Sequence, residues 1–292
     1  TTRPAAAADA GVTIVDASAA AIDAGTSLDA TVGPADMRPV PAGTFTMGSD
    51  KGGEADEHPA HRVTLAGFWL DKTQVTNAAY LECVAAKKCR PYDAAVASRN
   101  HAGADALFRG PQKPVDGVGW ADAKAYCAWR GKRLPREAEY ERAIRDDDGR
   151  VYPWGNDPPT PERAVFGKPF GGGATEDVGS HPAGRGPFGH DDLAGNVWEW
   201  MEDEYDPVAY TRRGADHGEP GTCAEITKTL SDLRAKDEVG FTGSNPIPKT
   251  CEHVLRGGAY NYGPYGLRAT NRVHHPGGYR LVMTGFRCAK DL

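Results

Sequence analysis

Ala125-Tyr-Cys-Ala-Trp-Arg-Gly-Lys-Arg-Leu-Pro-Arg-Glu-Ala-Glu-Tyr140 joins two helix signals through one sharp turn. Its left arm completes Trp120-Ala-Asp-Ala-Lys-Ala-Tyr-Cys-Ala-Trp129, where Trp120, Ala123, Tyr126 and Cys127 share one face at three- and four-residue spacing. Gly131 stands where a left-handed cap ends a helix. Its right arm begins at Pro135, placed just before the first turn of a helix running Arg136-Glu-Ala-Glu-Tyr-Glu-Arg-Ala-Ile144.

Upstream, Val40-Pro-Ala-Gly-Thr-Phe-Thr-Met-Gly48 reads as a short strand, a glycine turn and a second strand, and His61-Arg-Val-Thr-Leu-Ala-Gly-Phe-Trp-Leu70 alternates like one half-buried strand. Thr76 precedes Asn77-Ala-Ala-Tyr-Leu-Glu-Cys83 as the cap of a further helix. Downstream, Val151 to Gly189 is mostly Pro, Gly and charge, which predicts long irregular loops. Residues 205–252 read as an insertion of low apolar content, with Cys223 and Cys251 placed to close it. Residues 1–35 are Ala, Asp, Thr, Ser and Gly without an aromatic; such a segment buries too little apolar surface to offset its ordering entropy and reads as a flexible tail. At a mature N-terminus it would suit a tether to the cell envelope.

The 292 residues carry a net charge of -6, which argues against a nucleic-acid surface. No stretch reaches the roughly eighteen apolar residues of a membrane span. With 36 Gly and 22 Pro, loops and turns are expected to outweigh long helices. The six cysteines (Cys83, Cys89, Cys127, Cys223, Cys251, Cys288) lack the close Cys-x-x-Cys pairs of zinc sites. An even set of this kind favours disulfides and an oxidising compartment: secreted, periplasmic or envelope-attached. Cys83 and Cys89 bracket a loop short enough for a local bridge, but sequence alone leaves every pairing open.

Eight segments in order carry a resemblance. They are Pro41–Gly48, Val75-Thr-Asn77, Pro114-Val-Asp-Gly-Val-Gly-Trp120, Ala125–Tyr140, Tyr152-Pro-Trp-Gly-Asn156, Asp192-Leu-Ala-Gly-Asn-Val-Trp-Glu-Trp200, Leu255-Arg-Gly-Gly-Ala-Tyr260 and Gly285-Phe-Arg-Cys-Ala289. Together they resemble the formylglycine-generating enzyme (sulfatase-modifying factor) family. The resemblance spans residues 36–292 and implies an α+β, C-type-lectin-like fold with little regular secondary structure. Trp120, Trp129, Trp154, Trp198 and Trp200 are expected as core and turn-packing residues.

The resemblance also implies a structural calcium, held by the Asp192 and Glu199 side chains with the Gly195 and Val197 carbonyls. Calcium takes about six to eight oxygen ligands mixing carboxylates and carbonyls on a tight loop. Asp192 as a turn residue and Glu199 as a buried hydrogen-bond partner is the alternative. A second family calcium site lacks its Asn near Arg163-Ala-Val-Phe166. The resemblance pairs Cys127 with Cys288, leaving Cys83–Cys89 and Cys223–Cys251. A further family disulfide has lost both halves, at Ala143 and in the Arg268–Arg272 stretch.

Family members oxidise a substrate cysteine with oxygen and copper held by two cysteines after a Gly-Gly-Ser motif. Here the segment reads Gly257-Gly-Ala-Tyr-Asn-Tyr-Gly-Pro-Tyr-Gly-Leu-Arg268: Tyr262 falls at the first copper cysteine, the second has no counterpart, and Ala259 replaces the serine. Hydroxyls do not replace the soft thiolates that Cu(I) needs, so copper and the oxidation to formylglycine are not expected. The implied groove would be lined by Tyr260, Asn261, Tyr262, Tyr265, Arg268 and Arg272, with His274 and His275 beside it. Flat apolar faces with hydrogen-bonding groups suit a peptide, glycan or small aromatic ligand. Three readings compete: a ligand- or protein-binding module, an enzyme with altered chemistry using iron or no metal, and a structural envelope module. Relatives that mature a siderophore chromophore also lack the copper cysteines, so an enzyme without copper stays open.

Overall fold

The computed structural model describes residues 34–93, 95, 107–212, 222–235 and 250–292. The tail at residues 1–35 therefore falls almost wholly outside the described residues.

Among the described residues nine strands form three small sheets. Strand β1 (Met37–Val40) pairs antiparallel with β4 (Phe68–Asp71), and β4 pairs antiparallel with β9 (Ala289–Asp291). A two-stranded ribbon joins β2 (Gly43–Met47) and β3 (His61–Leu65). The largest sheet has the order β7-β6-β5-β8, from β5 (Trp198–Glu204), β6 (His253–Arg256), β7 (Val273–His275) and β8 (Thr284–Gly285), with β5 and β8 parallel. The single strand read over His61–Leu70 is thus two strands in different sheets. The chain breaks at Gly67, where a Cβ would lie 2.4 Å from the Leu292 side chain and 3.2 Å from the Ala42 nitrogen.

Helices follow their capping signals. In α1 (Asn77–Ala85) the Ala79 N–H donates to Thr76 Oγ1 at 3.2 Å. Helix α2 (Trp120–Trp129) buries Ala123, Tyr126 and Cys127, half-buries Trp120, and stops at Gly131 with φ +69. Helix α3 (Glu137–Arg145) buries all nine of its residues although five are charged. The insertion holds α4 (Ala209–Arg212) and α5 (Cys223–Ala235), where Ile226 and Leu230, one turn apart, are fully buried. Its helical content was not expected, because only this i, i+4 pair signals it. Over 151–189 one short 3₁₀ turn, Pro182–Gly184, is the only helix or strand, as the Gly and Pro content predicts.

Two large apolar clusters, with a small third of Ala164, Ala194 and Leu267, fill the interior of the described residues. One sets Tyr80, Tyr126 and Phe286 against Trp198 and Trp200; the other sets Phe45, Val63 and Leu70 against Tyr140, Ile144 and Met201. Trp198 and Trp200 are core residues as expected, while Trp120, Trp129 and Trp154 are half-buried packing residues. Disulfides join Cys127–Cys288, Cys83–Cys89 and Cys223–Cys251, the partition the resemblance implied, and no cysteine is free. No helix among the described residues is long and apolar enough to cross a membrane.

Candidate functional site

The turn before β5 curls tightly because Asp192, Gly195 and Asn196 adopt φ of 54, 90 and 68. Gly195 is required there, since a Cβ would lie 2.5 Å from the Val165 carbonyl oxygen. The curl turns the carbonyls of Asp192, Gly195 and Val197 toward the Glu199 carboxylate, and all four converge on one atom. Gln74 Nε2 lies 3.4 Å from the Asp192 oxygen, 3.3 Å from Gly195, 3.1 Å from Val197 and 3.1 Å from Glu199 Oε1. Arg287, fully buried, donates from Nε to Glu199 Oε2 at 2.7 Å and from Nη2 to Oε1 at 2.8 Å. The same Nη2 reaches the Asp191 and Asp192 carbonyls at 3.0 Å each. Tyr140 Oη also donates to Glu199 Oε1, at 3.0 Å.

Asp192 contributes its carbonyl to this convergence, and its carboxylate Oδ2 accepts from the Gly179 N–H at 2.6 Å. Burial raises the Asp192 carboxyl to about 6. Calcium is implied at this turn by the resemblance; in this structure Arg287 forks the Glu199 carboxylate and the Gln74 amide nitrogen stands among the four oxygens. Gln74, Arg287 and Tyr140 were missing from the sequence reading, although Arg287 lies inside the Gly285-Phe-Arg-Cys-Ala289 motif.

The 257–268 segment lies against this turn. The Gly195 N–H donates to the Gly257 oxygen at 2.8 Å and the Tyr260 N–H to the Asn196 oxygen at 2.9 Å. Gly257 (φ +95) admits no side chain, because a Cβ would sit 2.6 Å from Tyr140 Oη. Ala259 is buried, and Tyr262 sets its ring edge-on to Trp198 at 5.2 Å while remaining 36% exposed. Burial raises the Tyr262 hydroxyl above its ordinary value.

The eight residues expected around a groove separate into two groups. Tyr260, Arg272 and His274 do not line an open surface. Tyr260 packs 5.6 Å from Phe108 in the core. Arg272 forks Glu137 at 2.6 and 2.9 Å, and His274 Nδ1 meets Glu252 at 2.6 Å while its ring stacks 4.1 Å from Tyr205. Asn261, Tyr262, Tyr265, Arg268 and His275 keep surface. Tyr265 is 49% exposed, its hydroxyl donating to Glu54 Oε1 at 3.0 Å, and Arg268 lies 4.0 Å over its ring while forking Glu57 at 2.7 Å twice. His275 stacks 5.0 Å from Tyr279. Among the described residues the one metal-type group is Glu204 with Cys223 and Cys251, whose sulfurs are bonded to each other, leaving one carboxylate.

Three small sheets, a crowded turn before β5 and a glycine-bounded segment laid over it define a formylglycine-generating-enzyme-type domain. The chain belongs to the sulfatase-modifying factor family: the sulfatase-modifying factor enzyme 1-like domain matches residues 26–292. It is similar to the inactive C-alpha-formylglycine-generating enzyme 2 of Bos taurus, 33% identical over 70% of this chain and 86% of the relative. It is also similar to the serine/threonine-protein kinase Pkn1 of Chlamydia trachomatis serovar L2, 32% identical over 87% of this chain, but it spans only 38% of that protein's length. The structure of PvdO from Pseudomonas aeruginosa superimposes with a TM-score of 0.64 at 26% identity, covering 88% of this chain and 94% of that one.

Proposed function

We propose that this domain is exported and binds a ligand on the family scaffold without the copper-dependent oxidation of cysteine to formylglycine. One observation carries the reading: all six cysteines are paired, and the Tyr262 ring stands against Trp198 where the resemblance places the first copper cysteine. No thiolate is left to hold Cu(I). Three disulfides support passage through an oxidising compartment, secreted or periplasmic. The ligand would meet the half-buried Asn261 and the exposed rings of Tyr262 and Tyr265, which offer flat apolar contact beside polar groups, as a peptide, glycan or small aromatic molecule requires.

The test is oxygen uptake by purified protein with a Cys-x-Pro-x-Arg peptide, with and without added Cu(I), beside metal analysis. Wild type and Tyr262→Cys should both show no conversion, since one restored thiol does not make a two-thiolate site. Copper-dependent conversion by wild type would sink the proposal. Glycan- and peptide-array binding that survives Tyr265→Ala and Tyr262→Ala unchanged would remove the ligand surface from it.

A further inference from the structure

We infer that the Gln74 side chain stands in for a cation at the turn before β5, so that this member of the family is built to hold that turn without calcium. Three carbonyls and one carboxylate oxygen, all from residues 192–199, point at one place. Such a convergence of oxygens repels itself unless something positive or hydrogen-donating fills the centre. A hard dication is one solution. The Gln74 amide is another: its Nε2 is within 3.1–3.4 Å of all four oxygens and carries two hydrogens.

The charges already close around the amide. Glu199 carries one negative charge, and Arg287 answers it through two separate contacts, both partners being fully buried. Arg287 Nη2 also donates to the Asp192 carbonyl, one of the four oxygens of the focus. A dication among these oxygens would add two positive charges beside that guanidinium, with the Asp192 carboxylate turned toward Gly179 instead of inward. The orientation of the amide is fixed by the same oxygens. Gln74 Oε1 finds no donor among the described residues, yet reversing the group would set that oxygen against four others. The cluster accepts the orphaned oxygen to keep the nitrogen at the centre. Gln74, just after β4, thereby fastens β4 to a turn more than a hundred residues away.

The inference makes position 74 a selector. Gln74→Glu exchanges the donating nitrogen for a second carboxylate oxygen at the focus, which then needs a cation. Thermal unfolding in EDTA and in calcium, with metal analysis after dialysis, tests this. Wild type should melt within about 1 °C in the two buffers and retain no stoichiometric calcium, since a ligand that does not bind the native state does not shift its midpoint. Gln74→Glu should melt several degrees lower in EDTA and recover in calcium with one ion per chain. A calcium-dependent midpoint or one bound calcium in wild type would overturn the inference, whether or not the variant folds. So would a Gln74→Glu protein with unchanged midpoint and no calcium.

Discussion

Arg272 gives the sharpest test of how the buried charges are arranged. It is 1% exposed, forks Glu137 at 2.6 and 2.9 Å, and donates from Nη1 to the Asp56 carbonyl at 2.8 Å and to that of Asp206 at 3.3 Å. Its guanidinium lies 4.6 Å from the Tyr210 ring centre and 5.1 Å from that of Tyr205. Arg272→Met keeps much of the volume and removes the charge. Glu137 then loses its fork and keeps Arg256 Nε at 3.6 Å. Breaking a buried pair from one side costs about 3–5 kcal/mol. At roughly 2–4 °C per kcal/mol for a domain of this size, the midpoint should fall by on the order of 10 °C. Arg272→Met with Glu137→Leu should recover more than half of that loss, because no buried charge is stranded.

Urea unfolding followed by tryptophan fluorescence should report the same loss as a free energy. A single variant within about 0.5 kcal/mol of wild type would refute the assignment and return Arg272 to the ligand surface.

Two further outcomes follow from the packing. Cys127–Cys288 spans 161 residues and Cys83–Cys89 spans 6. Loop-closure entropy then makes removal of the first pair cost about 5 kcal/mol and of the second about 2, so equal losses of midpoint would show that chain entropy is not the governing effect. Asp116, fully buried with Arg109 Nη1 2.9 Å away, is pushed up to about 7 by burial. Its raised folded value means that stability declines as pH rises from about 4 to 7, and Asp116→Asn should flatten that part of the wild-type profile in urea titrations.

Most of the frame was legible because it rests on local signals. The Thr76 cap, the apolar face of α2, the Gly131 stop and the Pro135 start each depend on a few neighbouring residues. What stayed hidden depends on partners far along the chain. Glu137-Ala-Glu-Tyr-Glu-Arg-Ala-Ile-Arg145 carries five charged residues, yet it is buried throughout because Arg256, Arg272 and Arg133 arrive to answer its carboxylates. Arg272 and His274 likewise look like surface chemistry until Glu137 and Glu252 are found opposite them. The turn at 192–199 was located from its motif, but the Gln74 amide that reaches its oxygens was not. Gln74 differs from any other glutamine in the sequence only by where the fold carries it.

The pairing of β9 with β4 bears on how the chain is made. Leu70 faces Ala289, so one edge of β4 waits for residues synthesised roughly 220 positions later. The Cys127–Cys288 bridge and the Arg287 contacts to Glu199 wait for the same stretch. This domain therefore finishes folding only after residues 287–291 have emerged, and a nascent chain stalled short of them leaves the Glu199 carboxylate without its guanidinium and an open strand edge that other chains can capture. Quality control that recognises exposed edges would act on such truncated chains first.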